Sequence, residues 1–144
     1  MKCRDFMVFD WVANEHGTPM QIIDVGEEVY AACKEHKGYA WAFSDVEGFE
    51  PQPIGITAEL LKANGWKVVV EKFCDVICYE CCVKDENGNH LEWRRGILSI
   101  WLDYEKNNDG VYSDIVIPVK YVHQLQQVLR IAGMTDMANN FIVI

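Results

Sequence analysis

The amino-acid sequence predicts an α+β protein, in which a small SH3-like β-barrel precedes a mostly antiparallel sheet with one packed C-terminal helix. Short apolar runs broken by turn residues fill residues 1–50. A short helix with clear end signals follows within residues 51–66. Strand patterns then return, before an amphipathic helix at about 121–132. We therefore predict a β unit at 1–50, a linker with a capped helix at 51–66, and an antiparallel sheet with its helix at 67–144.

Length, composition and charge limit the classes of function. The chain has 144 residues, of which 50% are hydrophobic and 24% charged, a composition typical of globular proteins. With 22 acidic and 13 basic residues the formal net charge is −9, which disfavours nucleic acid and anionic membranes as partners. No apolar stretch is long enough to span a bilayer, and Asp5 and Asp10 bracket the N-terminal apolar run, so no export signal is visible. We expect a cytoplasmic protein whose six cysteines remain thiols, in an oligomeric state that the sequence leaves open.

The first fifty residues alternate between apolar runs and turn residues, as expected of four short strands in a small barrel. Tyr39, Trp41 and Phe43 occupy every second position, so that in a strand all three rings share one face. This aromatic stripe fits either the core of the barrel or a binding surface.

The clearest helix lies at Ala58 to Ala63. Thr57 suits the N-cap, since its hydroxyl can accept a hydrogen bond from a free amide of the first turn. Ile56 before the cap and Leu61 can form a hydrophobic staple. Asn64-Gly65 suits a Schellman ending with a left-handed glycine.

The sequence pattern of the second half of the chain predicts antiparallel strands joined by turns. We interpret Arg95-Gly96 as a bulge that interrupts one strand, and Asn107 to Gly110 as a hairpin turn. The predicted strands are Lys67 to Lys72, Asp75 to Val83, Leu91 to Arg94 continuing through Gly96 to Asp103, and Val111 to Val119.

The longer helix, at Tyr121 to Ala132, has an apolar face that should cover the sheet and a polar face opposite it. Gly133 ends the helix, and Phe141 to Ile144 are apolar enough to predict a final strand. We interpret the polar stripe formed by His123, Gln127 and Arg130 as a solvated or partner-facing surface. The apolar face comprises Val122, Leu125, Leu129 and Ala132, and the polar face comprises His123, Gln126, Gln127 and Arg130.

A cysteine cluster is the sharpest chemical motif. Cys74, Cys78 and Cys81 have the C-x3-C-x2-C spacing of radical S-adenosylmethionine enzymes, in which three thiolates hold an iron–sulfur cluster. In an extended strand, however, Cys81 would point away from the other two, and the chain is much shorter than those enzymes. Cys78 and Cys81 also resemble half of a tetrathiolate zinc site that Cys74, Cys82 and His90 could complete, although a second zinc knuckle is missing. Buried thiols are the plain alternative.

No other catalytic motif is visible. The four histidines, His16, His36, His90 and His123, fall outside metalloprotease and nucleophile motifs, and the chain has neither a phosphate-binding loop nor a dinucleotide fingerprint. We therefore assign no catalytic residue, no cofactor and no metal ligand.

Three stretches resemble a known family: Asp10-Trp11-Val12, Gln52-Pro-Ile-Gly-Ile-Thr-Ala-Glu-Leu-Leu-Lys-Ala-Asn-Gly-Trp66, and Lys120-Tyr-Val-His-Gln-Leu-Gln-Gln-Val-Leu-Arg-Ile-Ala-Gly133. They are similar to small uncharacterised bacterial proteins encoded in prophages and mobile elements, with I-P-L-T-x-E-x-L-x-x-N-G-F and Y-V-H-x-L-Q segments. Gly55 and Ile56 stand where that pattern has proline and leucine, and Trp66 replaces its phenylalanine. The resemblance implies a genetic context but no activity.

From these observations we predict a non-enzymatic accessory or protein-interaction module with an unidentified protein partner. The small size, the acidic charge and the lack of a catalytic motif favour this function. One alternative is a metal- or thiol-dependent protein that uses Cys74, Cys78, Cys81 and Cys82. Another is nucleic-acid binding by the barrel, which requires a basic patch that the sequence does not show.

Overall fold

The computed structural model describes residues 5–25, 30–35, 40–44, 51–103 and 113–143, and within these ranges the protein is α+β, with antiparallel sheets and short helices. In chain order the elements are β1 (Trp11–Ala13), β2 (Pro19–Val25), β3 (Tyr30–Glu35), β4 (Ala40–Ser44), α1 (Ala58–Ala63), β5 (Lys67–Phe73), β6 (Val76–Lys84), β7 (His90–Arg94), β8 (Ile97–Trp101), β9 (Ile115–Pro118), α2 (Val122–Ile131) and α3 (Thr135–Asn139). None of these helices is long and apolar enough to cross a membrane.

The chain divides into two compact units, and the first of them is discontinuous. Unit 1 combines Met1–Gly55 with Tyr121–Ile144, and unit 2 is Ile56–Lys120. The predicted boundaries differ, because they place helix α2 with the sheet of the second half. In the structure α2 packs instead with α3 and β1, since residues of the N-terminal segment supply the partners for its polar side chains.

Unit 1 contains an antiparallel meander in the order β1-β2-β3-β4. Among the described residues β1 and β4 lie at opposite edges, so this part of the chain does not show a closed SH3-like barrel. The outer edge of β1 is occupied by Gln52, which exchanges two backbone hydrogen bonds of 2.8 Å with Ala13. Tyr39 lies outside the described residues, as do the side chains of Trp41 and Phe43, so the interpretation of the aromatic stripe stays a prediction.

Helix α1 in unit 2 has the ends that the sequence predicts. Thr57 Oγ1 accepts a hydrogen bond of 3.1 Å from the Leu60 amide, which confirms the N-cap. At the other end Gly65 has φ +85°, and the Trp66 amide donates to the Leu61 carbonyl at 3.0 Å, the bond that defines a Schellman motif. Leu61 and Trp66 are both buried, so one leucine anchors this helix in the core of unit 2.

The sheet of unit 2 is a five-stranded antiparallel meander, β5-β6-β7-β8-β9. The interpretation of Arg95-Gly96 as a bulge within one strand is wrong: the two residues form a tight turn between separate strands β7 and β8. Arg95 has φ +52° and Gly96 has φ +79°, and a two-residue hairpin turn needs this pair of positive values. Cys74 and Asp75, with φ +47° and +65°, form the equivalent turn between β5 and β6. The predicted turn at Asn107 to Gly110 lies outside the described residues.

The C-terminal region also differs from the prediction. Helix α2 ends as expected, with Gly133 at φ +87° and the Met134 amide bonded to the Leu129 carbonyl at 2.8 Å. The short helix α3 then follows, which the sequence did not predict. Residues 141–143 are not a strand, although Phe141 and Val143 are buried as their apolar character requires.

Candidate interaction surface

The polar face of helix α2 is largely buried, with Gln127 half-buried. Gln126 is fully enclosed, His123 is buried, and Arg130 keeps only a tenth of its side chain exposed. The expectation of a solvated or partner-facing surface is therefore wrong for His123 and Arg130. Gln126 and Arg130 pack in unit 1 on the chain segment 5–14, whose polar groups satisfy theirs.

Asp10 and Arg130 form the centre of this polar contact. Asp10 is fully buried, and Arg130 Nη1 donates to Asp10 Oδ1 at 2.5 Å. Asp10 Oδ2 accepts hydrogen bonds of 2.9 Å from Gln127 Nε2 and from the Met7 amide. Since each oxygen of the buried carboxylate has a donor, these bonds offset its loss of hydration.

Arg130 also fixes two further segments of unit 1. Its Nε donates to Asn139 Oδ1 at 3.0 Å, and its Nη2 donates to the Val8 carbonyl at 3.2 Å. The planar guanidinium therefore links helices α2 and α3 to the N-terminal segment in one fixed geometry.

Gln126 makes a second set of buried bonds beside this pair. Its Oε1 accepts from the Trp11 amide at 2.9 Å, and its Nε2 donates to the carbonyls of Phe9 at 2.7 Å and Ala138 at 3.0 Å. Trp11 Nε1 in turn donates to the Phe141 carbonyl at 2.7 Å. One amide side chain thus holds β1, the N-terminal segment and α3 together, which explains why a polar residue occupies the core.

The segment fixed in this way presents apolar side chains to solvent. The Asp10 amide donates to the Met7 carbonyl at 3.0 Å, and Phe9 has φ +76°, so residues 7–10 form a tight turn. A left-handed backbone at a residue other than glycine costs about 1–2 kcal/mol, which the surrounding hydrogen bonds must offset. Met7 is 50% exposed, and Val8 and Phe9 are also exposed.

Ile131 extends this surface from the end of helix α2. It is 86% exposed, although isoleucine is usually buried. A shallow groove of about 400 Å³ is lined by Asp5, Met7, Gln127, Arg130 and Ile131. We call the exposed apolar residues Met7, Val8, Phe9 and Ile131 the turn patch.

Sequence reasoning missed the turn patch, although two signals for it exist. Phe6 to Phe9 is an apolar run between two aspartates, and Ile131 falls out of phase with the apolar face of its helix. Both features mark apolar side chains that the local pattern does not place in a core.

His123 lies at the inner side of the same contact. Its ring stacks on Tyr121 at 6.0 Å between centroids and meets Phe6 edge-on at 5.7 Å. Within the described part of the chain Nδ1 has no hydrogen-bond partner. Burial lowers the pKa of His123, against a smaller opposing effect of Asp10 and Asp5. The buried ring is therefore kept neutral and packs as an aromatic group.

The cysteine cluster does not converge where it is described. Cys74 is exposed in the β5–β6 turn, Cys81 is buried, and Cys82 is half-buried on the opposite face of β6. From Cys74 to Cys81 the strand rises by about 20 Å. The side chain of Cys78 lies outside the described residues.

The environment of Cys81 and Cys82 also disfavours their ionisation. Burial raises the pKa of Cys81 and of Cys82, and the charges of Glu80 and, for Cys82, Glu92 raise it further. Thiolates are therefore disfavoured at both positions. The described residues contain no group of three or more histidine, cysteine or acidic side chains placed to hold a metal ion.

Parts of the three stretches that were compared with the prophage proteins lie together in unit 1. Gly55 pairs with Tyr121, the Val122 amide donates to the Ile54 carbonyl at 2.8 Å, and the Trp11 amide donates to Gln126 Oε1. No protein-family model, no curated protein and no solved structure matches the chain.

Proposed function

We propose that the protein is a non-enzymatic protein-interaction module whose contact surface is the turn patch. The single observation that carries the proposal is the 86% exposure of Ile131 beside Met7 on one groove. An exposed apolar surface held by an ordered polar scaffold is typical of interaction sites, because little conformational entropy is lost on binding.

The polar groups under the patch have a structural role in this proposal. Asp10 is fully buried and all its bonds go to protein donors, so it has no access to a substrate. Both Oε1 and Nε2 of Gln126 are likewise hydrogen-bonded to protein groups. A general acid or base needs hydrogen-bond reach to a substrate, and neither residue offers it.

A prophage or mobile-element origin and an SH3-like barrel at residues 1–50 are further parts of the proposal. We propose a prophage or mobile-element origin on the three resembling stretches, parts of which lie together in unit 1. An SH3-like barrel at residues 1–50 also stays a proposal, supported by the four short antiparallel strands. Strong amide protection along the outer edge of β4 would support closure of such a barrel, and free exchange there would oppose it.

The test is affinity capture from host lysate with the tagged full-length protein, with and without nuclease. We expect a stoichiometric protein that survives nuclease and is lost with Ile131→Glu and with Met7→Ser. Val116→Glu is the matched control, since Val116 is also an exposed apolar residue but lies on β9 of unit 2. The proposal would be contradicted if the turn-patch variants captured as much of the partner as the original protein does. It would also be contradicted if nuclease abolished the capture.

A further inference from the structure

The β5–β6 hairpin of unit 2 extends beyond the end of the neighbouring strand β7. Strand β7 begins its pairing with β6 at Glu80, opposite Arg94. Residues 76–79 therefore pair only with β5 among the described strands. We call this segment, Val76–Tyr79, the overhang.

The register shows which backbone groups of the overhang face outward. Phe73 and Val76 flank the two-residue turn and form its hydrogen-bonded pair. Since hydrogen-bonded and non-hydrogen-bonded pairs alternate, Ile77 and Tyr79 direct their N–H and C=O groups away from β5. Their side chains are exposed by 57% and 47%.

The other open edges of this sheet carry features that prevent strand addition. The edge strand β5 carries Lys67 and Lys72, and the edge strand β9 contains Pro118. The overhang has neither a charged residue nor a proline. It is the unprotected edge among the described strands of unit 2.

We infer that the overhang pairs with the overhang of a second copy of this chain, antiparallel and about a two-fold axis through Ile77. In this register the outward N–H and C=O of Ile77 bond with those of the second copy, and Tyr79 lies opposite the second copy's Asp75. The two free segments match in length, because each ends at the hairpin turn on one side and at β7 on the other.

Charge complementarity favours a second copy as the occupant. The pairing brings the hairpin tip of each copy, with the exposed Asp75, to the end of β7 in the other copy. Arg94 and Arg95, the adjacent basic pair of the chain, are exposed there, and Lys120 lies beside Gly96 in the same turn region. Each acidic tip therefore lies near exposed basic side chains, of which Arg94 also stands across from Glu80 of its own copy, in a molecule whose overall charge is acidic.

The inference is tested by sedimentation analysis of the full-length protein over a range of concentrations. We expect reversible dimers, and for Ile77→Lys an affinity at least about tenfold weaker, because two like charges then meet at the axis. Val116→Lys, an exposed change on β9, is the control and should leave the dimer unchanged. A chain that stays monomeric, or a dimer that Ile77→Lys does not weaken, overturns the inference.

Two further sets of variants test the register and the charge pairing. With Cys74→Ser and Cys78→Ser as background, Ile77→Cys should form an intermolecular disulfide on mild oxidation, whereas Val70→Cys on β5 should not. Asp75→Lys and Arg95→Asp should each weaken the dimer, and the two together should restore it. Equal crosslinking at both positions, or no rescue by the double reversal, overturns the pairing.

Discussion

Arg130 and Asp10, 120 positions apart in the chain, form a buried ion pair in which Nη1 lies 2.5 Å from Oδ1. The pair joins the last turn of helix α2 to the N-terminal turn of unit 1. Because Arg130 also binds the carbonyl of Val8, the exposed turn patch depends on a bond that is itself hidden from solvent.

Asp10→Ala should decrease the free energy of unfolding by about 3–5 kcal/mol, because it leaves the Arg130 guanidinium buried without its counter-charge. Adding Arg130→Met should recover part of this loss, since the uncompensated charge is then removed. The measurement is urea denaturation of the four members of this double-mutant cycle.

The control for this cycle is Glu15→Gln at the exposed pair of Glu15 and His16, in which His16 Nε2 lies 3.4 Å from Glu15 Oε1. We expect a change within about 0.5 kcal/mol there, because water screens exposed ion pairs. Equal losses at the two pairs would show that Asp10 is not a buried structural charge.

The stability of unit 1 should fall on mild acidification because of His123. Burial lowers the pKa of this histidine in the folded state, so the unfolded chain binds its proton more readily. The stabilisation is therefore complete above the unfolded pKa of 6.5 and is lost as the pH falls below it. Denaturation between about pH 7.5 and pH 5 should show a slope of at most about 1.4 kcal/mol per pH unit from this group.

His123→Phe is the matched variant for the pH experiment, since it keeps an aromatic ring between Phe6 and Tyr121. It should flatten the dependence of the unfolding free energy on pH in this window. His16→Phe, at an exposed histidine outside this contact, is the control. An unchanged slope in His123→Phe would assign the pH dependence to other groups.

Gly65→Ala should destabilise helix α1 by about 1 kcal/mol, because residue 65 has φ +85° and alanine is strained there. A Cβ at this position meets nothing within 4 Å, so the cost is conformational and not steric. Gly55→Ala is the control: its site is equally open and does not have a left-handed backbone. Thermal unfolding that ranks the two variants equally would contradict the Schellman ending.

Unit 2 should fold when residues 56–120 are produced alone. Its two ends lie together, since the Ile56 amide donates to the Lys120 carbonyl at 3.0 Å, and it has its own core around Leu61, Leu91 and Leu98. We expect dispersed amide resonances and one cooperative unfolding transition. A fragment without cooperative unfolding would show that unit 2 needs the rest of the chain.

Local patterns predicted most individual elements. The ends of α1 and α2 depend on residues within one turn of the helix, such as Thr57, Gly65 and Gly133, so the sequence displays them directly. The turn at Arg95-Gly96 was misread because arginine rarely adopts a positive φ, and a bulge explains the same interruption of the strand pattern.

The turn patch could be predicted only in part. Met7 to Phe9 and Ile131 are visible as apolar residues in unusual positions, but their exposure depends on how the segment around Asp10 is held. The partners of Asp10 on α2 lie more than one hundred positions away, and no local period links two such distant segments.

The sequence by itself therefore determined the α+β class, both predicted helices with their ends, and most strands, because these follow from capping, turn chemistry and periodicity over a few residues. Only the tertiary structure decided that Gln126 is buried, that Arg130 keeps only a tenth of its side chain exposed, and that α2 belongs to the unit of the N-terminal strands. The physical reason is that a polar side chain enters a core only where partners from distant segments satisfy it.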